Sequence, residues 1–287
     1  MKLLRVGPPG AERPAARLDD GQLVDVSGHV PDYGPAFFAA GGQAQLVEAL
    51  SSPDDLPRVD VGERVGACVA RPHKLLCIGL NYLDHAREAG INELPEEPIL
   101  FGKATNTLVG PNDDVLLPPA AAKVDWEVEL AVVIGAEGRY LADRDAARNV
   151  IAGYAVSNDV SERSFQLERG GQWIKGKSCE SFNPLGPWLV TPDEVDADAL
   201  HLWTSVNGER VQDGTSADMI APVTEIVRYL SWFMVLEPGD VINTGTPAGV
   251  GAGFDPPRFL QEGDVVEVGI DGLGSQRSVC RRAEVQR

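Results

Sequence analysis

The segment that most constrains this chain is Val124-Asp125-Trp126-Glu127-Val128-Glu129-Leu130-Ala131-Val132-Val133-Ile134. Apart from three acids it is apolar, and five of its eleven residues are β-branched, so it predicts a strand. Residues i and i+2 of a strand share a face, so Glu127 and Glu129 stand side by side. Two like charges buried there need a cation, or one must hold a proton. Carboxylate oxygens at this density suit a hard divalent ion. For the pair taken alone, an exposed edge strand with two solvated acids is the commoner arrangement.

A third acid narrows the choice. Asp159 follows the apolar run Ile151–Val156 and precedes SERSFQLE, which predicts a helix over Ser161–Glu168. Capping suits Asp159, but Ser157 and Asn158 can cap as well, which would free Asp159 for metal. In Asn81-Tyr82-Leu83-Asp84-His85-Ala86-Arg87-Glu88, His85 and Glu88 lie three apart, on one face of a helix. A carboxylate that orients an imidazole makes it a general base for water. An ordinary charged surface helix has the same spacing. His29, His73 and His201 lack such a setting.

Gly171-Gln172-Trp173-Ile174-Lys175-Gly176-Lys177-Ser178 matches the phosphate-loop pattern. That loop needs a buried strand before it and a helix after it. Here a charged helical segment precedes it and Pro184 soon follows, so a nucleotide site is not expected. Lys177, if partly buried, suits stabilisation of a developing oxyanion. The glycine-rich stretch Asn243–Gly253 lacks a dinucleotide context. Its backbone N–H groups and the Thr246 hydroxyl can approach a ligand closely, or it is a structural turn.

The remaining texture is β-rich α+β rather than a regular βαβ series. Residues 1–70 read as a small β-rich domain with a helix over Phe37–Leu50, and residues 71–287 as the catalytic one. A second helix is predicted over Val223–Met234, and VNGE predicts a hairpin turn at Asn207-Gly208. With 25 Lys and Arg against 43 Asp and Glu, the net charge is −18. That balance argues against nucleic acid and anionic membrane surfaces. The start does not read as a signal peptide, and no apolar run is long enough to span a bilayer. Cys68, Cys77, Cys179 and Cys280 form no CxxC pair and read as reduced thiols of a cytoplasmic protein.

Taken together, CIGLNYLDHAREAG, EPILFGKATNTLVGP, DWEVELAVVIG, GYAVSNDVSER, WIKGKS and GDVINTGTPAGVG resemble the fumarylacetoacetate hydrolase family, from about Leu75 to the C-terminus. The N-terminal LLRVGPPG is similar to the subgroup of 2,4-diketo-3-deoxy-sugar-acid hydrolases. The resemblance implies a roll of mixed β-sheets around a metal site, usually in a homodimer. It implies Glu127, Glu129 and Asp159 as Mg²⁺ or Mn²⁺ ligands, and His85 with Glu88 as the water-activating pair. It makes Lys177 catalytic, and Arg163, Gln166 and Thr246 substrate contacts, with Lys103 close to the site. The implied reaction cleaves the C3–C4 bond of a 2,4-dioxo acid, here a sugar acid, to pyruvate and a hydroxy acid. An oxaloacetate tautomerase or decarboxylase, or a diene-dioate isomerase, uses the same scaffold.

Overall fold

The computed structural model describes residues 1–60, 62–91 and 93–285. Its centre is a pair of antiparallel strands, Val128–Ile134 and Ile151–Asn158, buried along their whole length. Both faces of these strands are covered, which is why they read as continuous apolar runs rather than as alternation. They lie in a nine-stranded mixed sheet. Val241–Asn243, Leu75–Gly79 and Ile99–Lys103 continue it on one side, and Leu189–Val190, Lys2–Val6, Arg13–Arg17 and Leu23–Asp25 on the other. A five-stranded sheet, led by the hairpin His201–Val206 and Glu209–Thr215, packs against the central strands. The protein is therefore a strand-rich mixed fold, as expected. The hairpin turn falls at Asn207-Gly208, both at positive φ (53° and 83°) as a two-residue turn of this kind requires.

The sheet runs across the boundary read near residue 70. Lys2 pairs with Val190 and Leu3 with Leu189. A single apolar cluster joins Leu3, Val24 and Phe38 to Ala131, Ala155 and Val241.

Three helices differ from expectation. Phe37–Leu50 is two helices, Pro35–Ala39 and Gly42–Leu50, separated by Gly41 at φ 64°. Gly42 sits so close to the Phe37 ring that a Cβ there would lie 2.2 Å from it, so the chain bends back on itself. Ser161–Glu168 begins as a strand: Ser161 and Glu162 pair with Asp125 and Val124, and the helix spans Arg163–Leu167. Its cap is Glu162, which accepts from Phe165 N at 2.6 Å, rather than Ser157 or Asn158. The third helix spans Val223–Leu230 and stops four residues short of Met234. The Ser231 hydroxyl there bonds back to the Arg228 carbonyl. Among the described residues, no helix is long and apolar enough to cross a membrane.

Candidate active site

The predicted strand over Val124–Ile134 is interrupted at Trp126–Glu127, because the chain changes partners there. Val124–Asp125 pairs with Ser161–Glu162, whereas Val128–Ile134 pairs with Ile151–Asn158. The break puts Glu127 opposite Asp159: the Asp159 N–H donates to the Glu127 carbonyl at 2.9 Å. The Glu127 N–H donates to Asn158 Oδ1 at 3.0 Å. Glu129 stands two pairs further along, across from Ser157. Oxygens of Glu127, Glu129 and Asp159 come within 4.8 Å of one another. All three side chains are buried, at 4 %, 2 % and 0 % exposure, which rules out the solvated edge strand.

Three cations face this cluster. Lys177, on the single helical turn Ile174–Lys177, donates to Glu127 Oε2 at 2.5 Å and to Asp159 Oδ2 at 2.7 Å. Lys103 pairs with Asp159 Oδ1 and bonds the Phe182 carbonyl at 2.6 Å. Arg163 lies 2.7 Å from Glu127 Oε1 and 2.8 Å from Asp125 Oδ2. Burial pushes the Glu127 carboxyl up, but Lys177 and Arg163 outweigh it and bring it down to about 2. Glu129 goes the other way. Burial pushes it well above the usual carboxylate range, and the charges of Asp159 and Glu127 add to the shift. Its bonded partner is the Gly245 N–H at 2.7 Å, and among the described residues no cation lies within ion-pair distance of it. Four buried carboxylates, counting Asp125, thus face three cations. A divalent ion fits this donor set, since it supplies the charge that Glu129 lacks, through oxygen ligands of the kind Mg²⁺ and Mn²⁺ take.

The short helix Leu83–Glu88 brings His85 and Glu88 to the same cavity. His85 Nδ1 lies 3.0 Å from Glu88 Oε2. The start of this helix is tied down by Asn81, whose side chain bonds the Ala221 and Thr244 carbonyls and the Ala221 N–H. The glycine-rich stretch then joins the parts. Its N–H groups meet the protein's own carboxylates: Gly245 on Glu129, Gly249 on Glu88 at 2.8 Å, and Gly251 and Ala252 on Asp125 at 2.6 and 3.0 Å. A Cβ at Gly253 would lie 2.2 Å from the Glu88 carboxyl carbon, so a larger residue there would displace that carboxylate.

The three clustered carboxylates and the His85–Glu88 pair share one cavity of about 420 Å³. All nine predicted site residues lie on it: His85, Glu88, Glu127, Glu129, Asp159, Arg163, Gln166, Lys177 and Thr246. Arg163 Nη1 donates to Gln166 Oε1 at 3.2 Å, so the two act as a unit. The Thr246 hydroxyl accepts from Gln212 at 2.8 Å. The phosphate-loop match forms no nucleotide site, because Gly171 and Gln172 are exposed, its single helical turn, Ile174–Lys177, lies inside the match, and Ser178 leads into a turn and the short strand Asn183–Pro184 rather than a helix.

Sequence reasoning missed Asp125 and Gln212. Asp125 is fully buried between Arg163 and the glycine-rich loop. Its signal was present as the first of three alternating acids, Asp125, Glu127 and Glu129. Gln212 is an isolated amide on a surface hairpin strand and carries no such signal.

Residues 74–281 match the family described as fumarylacetoacetate (FAA) hydrolase, C-terminal. A Burkholderia multivorans protein, whose name offers no more than a provisional "hydrolase", is 51 % identical over 285 residues, covering 99 % of this chain and all of its own. A 2-hydroxyhepta-2,4-diene-1,7-dioate isomerase from Mycobacterium marinum is similar in structure, with TM-score 0.75 and 31 % identity. So is a maleylpyruvate hydrolase from Sphingobium sp. SYK-6, crystallised with manganese(II) and pyruvate, with TM-score 0.81 and 26 % identity. Both comparisons cover 99 % of this chain and all of the other.

Proposed function

The chain belongs to the fumarylacetoacetate hydrolase family, and from that premise we propose that it is a divalent-metal-dependent hydrolase of 2,4-dioxo acids. The observation that carries this reading is a histidine–glutamate pair facing the same cavity as three clustered buried carboxylates. Glu127, Glu129 and Asp159 would hold Mg²⁺ or Mn²⁺. When bound, the ion supplies Lewis-acid polarisation of the substrate's carboxylate and 2-oxo groups.

The chain's own residues do the rest. Because Glu88 engages Nδ1 of His85, Nε2 is the nitrogen that takes a proton from water. The water oxygen adds to the C4 carbonyl carbon. An ammonium has three N–H donors. Lys177 uses two on Glu127 and Asp159, which leaves one for the oxyanion formed at C4. The C3–C4 bond then breaks and its electron pair passes to C3. The proton held by His85 returns to C3, giving pyruvate and the acid of the tail. Arg163, Gln166 and Thr246 orient the oxoacid.

The M. marinum isomerase favours a second reading, in which the same base moves a proton within the substrate and no water is added. Pyruvate release from a panel of 2,4-dioxo acids separates the two. Metal-stripped protein should be inactive, and Mg²⁺ or Mn²⁺ should restore release. An enol–keto or double-bond shift without pyruvate from any substrate would establish the isomerase instead.

A further inference from the structure

The cavity is polar at the carboxylate cluster and apolar beyond it. From Lys177 its wall passes to Phe101, whose ring centroid is 5.1 Å from the Lys177 ammonium. It continues to Trp173, in edge contact with Phe101 at 5.1 Å between centroids. Leu80 and Ile91 also line it, and Leu167, 57 % exposed, extends it toward the rim. Trp173 is seated by an absence. It lies against Gly79, where a Cβ would come within 2.6 Å of the indole. Any larger residue at position 79 pushes the ring out of the wall.

The charges are already spent at the polar end. Arg163 and Lys177 are the lysine and arginine side chains lining the cavity among the described residues, and both are paired to buried carboxylates. A second carboxylate on the substrate would find no unpaired lysine or arginine among the described residues lining the cavity. A hydroxylated tail laid along Phe101 and Trp173 would leave its hydroxyls without partners, which costs binding.

We propose that the group on C4 is an uncharged apolar tail, aliphatic or aromatic, held against Phe101 and Trp173. Gly79 and Trp173 are then the residues that set specificity. This departs from the hydroxylated sugar-acid tail that the sequence resemblance implies. It rests on the hydrolase reading for the reacting end alone.

The test reads binding as well as turnover, so that the two ideas fail separately. Mn²⁺-loaded protein is titrated calorimetrically with 2-oxoheptanoate, whose tail is apolar, and 2-oxoadipate, whose tail ends in a carboxylate. The expected result is at least about tenfold tighter binding of 2-oxoheptanoate, in the range that a few methylenes give in an apolar pocket. Trp173→Ala should erase that preference and Trp173→Phe should keep it. Equal or tighter binding of 2-oxoadipate, or a preference untouched by Trp173→Ala, overturns the proposal. Pyruvate release is measured in parallel from 2,4-dioxo acids with pentyl, hydroxylated and carboxylated tails. A binding preference for the apolar tail without any pyruvate release leaves the tail assignment standing and removes the hydrolase. Release at equal kcat/KM from all three tails does the reverse.

Discussion

Replacing Asp125 by Asn tests whether the buried anion behind the site holds it together. Oδ1 accepts from Trp126 N at 2.9 Å and Gly251 N at 2.6 Å, and Oδ2 from Ala252 N at 3.0 Å and Arg163 Nε at 2.8 Å. Whichever way the Asn amide turns, its NH₂ faces one pair of donors, so two hydrogen bonds are lost. Bonds to a charged group contribute about 1.5–3 kcal/mol each. Removing one member of a buried ion pair costs about 3–5 kcal/mol. The two figures describe the same atoms, so the loss is about 3–5 kcal/mol in all. Unfolding entropy of about 2.1 cal/mol/K per residue over 287 residues gives about 0.6 kcal/mol per degree. The melting temperature should therefore fall by about 5–8 °C. The measurement is thermal unfolding followed by circular dichroism, in EDTA so that metal does not enter. Exposed Asp114→Asn serves as the control and should shift by less than about 1 °C. If Asp125→Asn melts within about 1 °C of the parent, the pairing does not stabilise the fold and the reasoning is wrong.

Three further outcomes are expected. His85→Ala should keep Mn²⁺ binding and lose about 10²–10⁴-fold in turnover, the usual contribution of a general base; unchanged turnover would remove it from the mechanism. Glu127→Gln should abolish both metal binding and activity, because it removes a proposed ligand and one of the two carboxylates paired with each of Lys177 and Arg163, and full metal retention with normal turnover would refute the assignment. Glu129 is held protonated to higher pH than an ordinary carboxyl by burial and by Asp159 and Glu127. Metal binding must displace that proton, so affinity should weaken as pH falls. Calorimetry in two buffers of different ionisation enthalpy, repeated at falling pH, reads the proton directly, and a metal affinity that does not change with pH would contradict the shift.

Much of the site was legible because its acids lie close together in sequence. Glu127, Glu129 and Asp159 announce themselves as acids at the ends of apolar runs, where burial without a partner is costly. His85 and Glu88 needed only helical spacing, and the helix there is real. What could not be read is where backbone donors go. The glycine-rich stretch was legible as close-approaching N–H groups, but their targets are Glu88, Asp125 and Glu129, more than a hundred residues away. The break at Trp126–Glu127 was hidden as well. Periodicity reports a continuous strand whether or not its neighbours change midway. Helix ends failed for a similar reason: strand pairing claimed Ser161 and Glu162, a contact that local propensity does not see.

The loop from Gly245 to Ala252 also orders events in time. The strands bearing the acids are near neighbours in sequence and can pair early. The amides that satisfy Glu129, Asp125 and Glu88 are separated from them by 116, 126 and 161 residues. Contacts that distant close late in folding, after the entropy of a large loop has been overcome. Until then those carboxylates lack the backbone donors that satisfy them. Docking of the glycine-rich stretch supplies those donors, so the segment that arrives last is the one that fixes Glu129, Asp125 and Glu88 in place.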